Sequence, residues 1–509
     1  MISAAEAGRA IGRGALALIL ALLLVGLGAA AAAAAPADLA GDFGDDGIAK
    51  IEGAGGGVFP GDASAQMAIG PEDEVFVLFS DYSCANEWEC ATELTLARFD
   101  AAGNRDPAFD VRLAVHQGPE RRPFDVAVGA DGKPVVAAYD SGDAEGGALR
   151  VFRFDRSGQL DPGFGGGGET AQPLRPGYSA PVAVAVQPDG KVVVATEGSR
   201  VDGGQALRVA RYSVDGTLDP GFGSGGVAAL TLPTQTRPAE VLVGPSGAIT
   251  VGTPYCCVGG SALFGEGFSV ARLLGDGRPD PAFAGSGQLR FPTPGGEGLV
   301  EAMAPAPDGG TLVLFEQRTE TVSTVDNLAK LAPDGSLDGG FGQGGLLRTY
   351  PRVGSIQPAA IAVDGQGRIV GAGSDQKLAA FRLLPNGSVD RTFNGGQRVK
   401  SPSGGRAVAI GLQSSGRIVV LGQSGCCTAL GFALVAFRGG SSHIRCQQHE
   451  ATIVGTAGRD ELVGTKHRDV IAALGGRDKV RGMSGADVIC GGPGQDSLLG
   501  GPGQDRVRQ

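Results

Sequence analysis

Six aspartates recur at nine-residue intervals near the C-terminus: Asp460, Asp469, Asp478, Asp487, Asp496 and Asp505. Each stands sixth in a nonapeptide. The six nonapeptides are GTAGRDELV, GTKHRDVIA, ALGGRDKVR, GMSGADVIC, GGPGQDSLL and GGPGQDRVR, in register from Gly455 to Arg508. Glycine holds the fourth place in five of them, at Gly458, Gly476, Gly485, Gly494 and Gly503, and an aliphatic residue always holds the eighth. Glycine permits left-handed backbone that aims main-chain carbonyl oxygens inward. Aspartate adds charge to such a set, and Ca²⁺ takes roughly six to eight oxygens of this kind.

This pattern resembles the hemolysin-type calcium-binding (RTX) repeat, G-G-x-G-x-D-x-U-x. The resemblance implies a parallel β-roll in which two nonapeptides make one coil. In each nonapeptide six residues turn, and three form a short strand with its aliphatic side chain inside. It also implies Ca²⁺ between turns i and i+2, pairing Asp460 with Asp478, Asp478 with Asp496, Asp469 with Asp487, and Asp487 with Asp505. Departures from the pattern weaken particular sites: His467 replaces the fourth-place Gly of turn two, and Ala473 the first Gly of turn three. A flexible acidic tail would not need an aliphatic residue in every eighth place. RTX proteins usually lack cysteines and use a C-terminal export signal, so the repeats alone do not make this chain a toxin.

A second series of carboxylates lies upstream. Asp106, Asp161, Asp219 and Asp280 each precede Pro, Asp338 and Asp390 hold the same place, and each stands three residues before a Phe. A ring of carboxylates could hold a metal. Repetition in every unit instead favours Asp accepting N–H groups within its own turn while Phe packs between units, because an active site breaks the symmetry of a repeat. Only His116 falls in this region, and no unit carries a distinctive nucleophile or carboxylate cluster. No catalytic residues and no enzymatic activity are therefore expected. Asn386-Gly387-Ser388 reads as a tight turn before it reads as a glycosylation sequon.

The elements that position these residues are repeats. The Phe markers 43, 109, 164, 222, 283, 341 and 393 are 52 to 66 residues apart. Between them recurs strand–glycine turn–strand, as in AVGADGKPVVAAY, AVQPDGKVVVAT and GLQSSGRIVVLG. Each unit reads as four short strands bounded by Gly, Asp and Pro turns, and around the fourth marker these are Gly226 to Leu232, Ala239 to Val243, Ala248 to Gly252 and Phe268 to Leu274. Seven such units predict an all-β fold: a seven-bladed β-propeller, followed by a small parallel β-roll. The last unit lacks its outer strand, so Gly47 to Glu52 is expected to pair with Ala433 to Arg438 and close the ring. The units QPDGKVVVA and YSVDGTLDPGFGSGG resemble the delta-60 repeat family of exported bacterial proteins over about residues 39–438. That resemblance implies a propeller-like scaffold and no particular reaction.

Composition bounds the rest. Of 509 residues 89 are Gly, without a Gly-X-Y period, and 42% are hydrophobic, which excludes collagen and disorder. A net charge of -11 argues against nucleic-acid binding. Arg9 and Arg13, the apolar run from Ala15 to Leu27 and the alanines before Asp38 have the layout of a secretory signal peptide. The expected domains are a signal peptide (1–37), a propeller (38–440), a linker (441–454) and a calcium-binding roll (455–508). Export makes disulfides plausible for eight cysteines. Cys84 with Cys90 and Cys446 with Cys490 are the expected bridges, whereas Cys256-Cys257 and Cys426-Cys427 stay open. The reading is a secreted or cell-surface, non-enzymatic calcium-binding protein with no membrane span after signal cleavage. Its partners are calcium ions and an unknown extracellular protein or glycan. The alternatives are a propeller hydrolase or dehydrogenase and a structural surface component.

Overall fold

The computed structural model describes residues 39–509, apart from 52–64, 85–89, 116–123, 141–146, 174–181, 200–204, 233–239, 254–266, 320–323, 349–356, 425–430, 440–444, 455–458 and a few shorter stretches. The signal-peptide residues, His116, Gly458, His467 and the cysteine pairs 256–257 and 426–427 lie outside the described residues.

Runs of Val, Ile, Leu and Phe cut by Asp-Gly and Ser-Gly turns favour strands over helices. Among the described residues the one helical element is a single 3-10 turn, Asn394–Gly396. Seven four-stranded antiparallel sheets form the blades of a propeller. Blade 1 runs from Ala65–Ile69 to Arg105–Val115, blade 2 from Phe124–Val128 to Glu169–Pro173, and blade 3 from Val182–Val186 to Val227–Leu230. Blades 4, 5 and 6 begin at Glu240–Val243, Gly296–Pro305 and Gln357–Val363. The first strands of consecutive blades touch in a closed ring, blade 7 against blade 1 included.

Blade 7 joins the two ends of the propeller. Its strands Arg406–Leu412, Ile418–Ser424 and Gly431–Phe437 come from the end of the region, and its outer strand is Ile48–Ile51. The register sets Ile48 opposite Val435 and Ile51 opposite Phe432. The expected closure is therefore present, and it covers an edge that would otherwise expose unpaired backbone. Phe43 and Ile51 are buried here against Val77, Phe99 and Leu434.

Aliphatic side chains pack between every pair of neighbouring blades. The marker phenylalanines are the largest repeated part of this core, each being at most 1% exposed and contributing about 2–3 kcal/mol by burial. The rings of Phe43, Phe109, Phe164, Phe222, Phe283 and Phe341 each lie under a glycine of the next blade's hairpin. Gly216 shows why that glycine is needed. Its φ is +80°, and a β-carbon there would come within 2.4 Å of Gly165 N and 3.0 Å of Phe164 Cγ.

Beyond the propeller the ladders become parallel and their period becomes 18 residues. Ile453–Val454, Val470–Ala472, Val488–Cys490 and Arg506–Arg508 form one sheet, and Glu461–Val463, Lys479–Arg481 and Ser497–Leu499 a second. Two nonapeptides thus make one coil of a β-roll. Its first rung, Ile453–Val454, lies inside the stretch expected as linker. So does a short hairpin, Arg445–Cys446 with His449–Glu450.

Candidate metal centre

In the roll each nonapeptide turn stacks on the turn 18 residues away, and the aspartates carry that stacking. One carboxylate oxygen of Asp478 accepts the Asp460 N–H at 2.8 Å, and Asp487 accepts the Asp469 N–H at 2.8 Å. Asp496 and Asp505 do the same for the N–H groups of Asp478 and Asp487, at 2.9 and 3.0 Å. The pairs joined in this way are the four inferred from the repeat.

The second carboxylate oxygens are different. Oδ2 of Asp478, Asp487 and Asp496 is buried with no hydrogen-bond partner. Asp487 is 0% exposed and Asp478 2%. A buried, unsatisfied carboxylate is costly unless a cation compensates it. Main-chain carbonyls converge on the same space. A β-carbon on Gly482 would lie 2.5 Å from Asp487 Oδ2 and 2.6 Å from the Gly500 carbonyl. On Gly464 it would lie 2.8 Å from Asp469 Oδ2 and 2.5 Å from the Gly482 carbonyl. Among the described residues no three His, Cys, Asp or Glu side chains gather as a metal cluster. A cation here would therefore rely on carbonyls as well as carboxylates, a hard-oxygen set that fits Ca²⁺.

Fourth-place glycines allow the turns to stack closely. Gly476, Gly485, Gly494 and Gly503 have φ between +133° and +157°. A β-carbon on Gly494 would strike the Gly476 carbonyl at 1.7 Å. Ala473 puts a methyl where all five other nonapeptides have glycine in the sequence, and it is fully buried. The eighth-place residues fill the interior unevenly. Ile471, Val480 and Ile489 are 0% exposed, Leu462 and Leu498 are half-buried, and Val507 is 46% exposed on the last coil.

The upstream aspartates are neutralised within the protein. Asp161 Oδ2 takes Arg153 Nε and Lys133 Nζ, both at 2.8 Å, while Oδ1 accepts the Gly163 N–H. Asp219 with Arg211, Asp280 with Arg272 and Asp390 with Arg382 repeat this at 2.7–2.8 Å, Asp106 pairs with Arg98, and Lys330 serves Asp338. Each of the five guanidinium groups also lies over the marker Phe three residues beyond its Asp, 4.5–5.0 Å from the ring centroid. Arg98 and Arg153 donate onward to carbonyls of the next blade, Arg156 and Val214. Burial pushes the carboxyls of Asp161, Asp219 and Asp390 upward, but the paired cations and turn hydrogen bonds outweigh it and hold each below the ordinary aspartate value. For Asp106 and Asp338 the side-chain bonds from Arg98 and Lys330 dominate the lowering. The turn reading of these aspartates holds. The cation eight residues upstream of each was missed, although its constant offset is visible in the sequence.

On the propeller axis a cavity of about 170 Å³ is lined by residues from all seven first strands, with Asp125, Glu240 and Glu301 among them. Asp125 accepts the Val184 N–H at 2.8 Å and Glu240 the Met303 N–H at 2.9 Å. These bonds tie first strands of consecutive blades together. Asn386 caps its own turn by accepting from the Ser388 N–H and hydroxyl. Cys446 and Cys490 form the expected disulfide. Cys84 and Cys90 are directly opposite in their ladder, while their side chains lie outside the described residues.

Comparisons with known proteins agree with this frame. The profile "Domain of unknown function (DUF5122) beta-propeller" matches residues 129–164, 187–222 and 367–393, within blades 2, 3 and 6. The profile "RTX calcium-binding nonapeptide repeat (4 copies)" matches residues 451–480 and 473–507. No curated protein sequence matches the chain. Similar solved structures include a PL25 ulvan lyase (9% identity, 75% of this chain and 95% of that one, TM-score 0.42). YCF48 bound to a D1 peptide is another (13%, 77% and 97%, TM-score 0.40). A third is an α-L-arabinanase of Penicillium chrysogenum complexed with arabinobiose (12%, 73% and 92%, TM-score 0.38). Likenesses this distant carry no argument about activity. The chain thus combines DUF5122 β-propeller repeats, in a seven-bladed ring, with C-terminal RTX calcium-binding nonapeptide repeats.

Proposed function

We propose that the stacked turns hold Ca²⁺ through Asp460, Asp469, Asp478, Asp487, Asp496 and Asp505 together with main-chain carbonyls at the glycine corners. The protein then acts outside the cytoplasm as a non-enzymatic binding or surface protein, with the propeller as the scaffold that meets a protein or glycan partner. The observation that carries the calcium reading is the set of buried, partnerless Oδ2 atoms on Asp478, Asp487 and Asp496. Support for a non-catalytic ring is that its repeated carboxylates are taken up by cations and turn N–H groups. Calcium titration of the full chain by isothermal calorimetry tests the assignment. Asp487→Asn touches two of the four inferred pairs and should weaken binding about tenfold or more. Asp505→Asn touches one pair, at the exposed end, and should cost less. Equal, negligible effects of both substitutions would contradict the assignment.

A further inference from the structure

The two sheets of the roll are finished differently. In the sheet containing Val470–Ala472 and Val488–Cys490, the outward residues Val470 and Val488 are only 6% and 2% exposed. Over them lies the hairpin Arg445–Cys446 and His449–Glu450, and Cys446 is fully buried and bonded to Cys490. Cys446, Val470, Val488 and Cys490 form an apolar cluster of their own, outside the roll interior. The opposite sheet has Glu461, Lys479 and Ser497 in the corresponding places, and its Val463 and Leu499 are 53% and 62% exposed. One face is capped and the other is open.

The capped face leads straight to particular carboxylates. Val470 follows Asp469 in the chain and Val488 follows Asp487, so the covered strands leave the turns of the Asp469–Asp487–Asp505 series. The open strands leave the turns of Asp460, Asp478 and Asp496. The bridge joins residues 44 apart, and the loop it closes contains Asp460, Asp469, Asp478 and Asp487. Without a cation, stacked carboxylates repel one another, so a tie that keeps the turns together lowers the ordering cost that ion binding must meet.

We infer that Cys446, Cys490 and the hairpin they fasten are positioning residues for calcium, acting selectively on the Asp469–Asp487–Asp505 series. This inference rests on the calcium reading above. Calcium affinity and the disulfide are then linked. A dithiol such as dithiothreitol supplies two electrons to the bridge, which takes up two protons and becomes two thiols. The dithiol ends as its own cyclic disulfide. The released hairpin leaves Val470 and Val488 uncovered, and the turns beside them lose their pre-set stacking.

The test uses the full chain and calcium calorimetry in two backgrounds. Asp478→Asn removes the open series and leaves the capped one; Asp487→Asn does the reverse. Adding Cys446→Ser with Cys490→Ser should raise the calcium midpoint about tenfold in the Asp478→Asn background and less than about twofold in the Asp487→Asn background. Should the serine pair fail to fold, dithiothreitol treatment of the two single variants gives the same comparison. General weakening of the roll would move both backgrounds alike, so equal shifts, like no shift, overturn the coupling while leaving the calcium reading intact. Absence of calcium binding in the unmutated chain overturns both.

Discussion

Aspartate is the repeated polar residue in both halves of this molecule, and its two oxygens are used in opposite ways. In the propeller, Asp390 places one oxygen on the Thr392 N–H and the other on Arg382, a pair whose side chains are 2% and 0% exposed. In the roll, Asp487 places one oxygen on the Asp469 N–H and leaves the other buried without a partner. The propeller carries its counter-charge in its own sequence, eight residues before each Asp. On the calcium reading proposed above, the roll takes the counter-charge for Asp478, Asp487 and Asp496 from outside. A repeat of carboxylates whose oxygens are paired with a repeat of cations is structural.

The largest expected effect comes from removing the strand that closes the ring. Deleting residues 39–51 takes away Phe43, Ile51 and the outer strand of blade 7, and exposes the Gly431–Phe437 edge. It should unfold or aggregate the propeller at 37 °C, measured by thermal denaturation with light scattering. An equal deletion in an exposed loop should lower the melting temperature far less. Equal losses would break the closure account.

Next comes the internal counter-charge. Arg382→Ala strands Asp390 in the core and should cost about 3–5 kcal/mol in chemical denaturation, with or without calcium. A calcium-dependent loss would blur the distinction between the two regions. The pair also has a pH signature. The folded carboxyl of Asp390 titrates below its unfolded value, so its stabilisation is present above about pH 4 and is lost as pH falls through the folded value.

The smallest effect has the opposite sign. In blade 5, Asp326 stands across the ladder from Glu316, and burial, then Glu316 and Glu301, push its carboxyl up to about 7. A carboxyl raised on folding weakens the fold as pH climbs from about 4 to 7. Asp326→Asn should therefore add about 1 kcal/mol at pH 8 and little at pH 4, as read from denaturant midpoints. A loss at pH 8 would show that its charge is compensated as in the Arg-paired aspartates.

Much of this architecture was legible because it repeats. The Phe markers counted the blades, and the missing last strand pointed to Ile48–Ile51. The eighth-place aliphatics separated a roll from a tail. The Arg–Asp pairs went unread because the partners flank a hairpin turn, and a window on the Asp turn alone omits Arg153 or Arg211. The capping hairpin was missed for another reason. Its strands are two residues long, too short for any alternation to show, and tertiary packing on Val470 and Val488 holds them in place. The uneven burial of Leu462 and Val507 depends on where coils stop, which the repeat pattern does not encode.

The contrast between the two regions is tested most directly by amide hydrogen exchange on the full chain, with calcium and then with a chelator. The N–H groups of Asp460, Asp469, Asp478 and Asp487 each bond to a carboxylate one coil away, so their protection reports the stacking itself. The account predicts that chelation releases these amides and the strands from Ile453 to Arg508 while the propeller strands keep their protection. Unchanged protection across residues 453–508 in chelator would show that the roll needs no ion, and would contradict it.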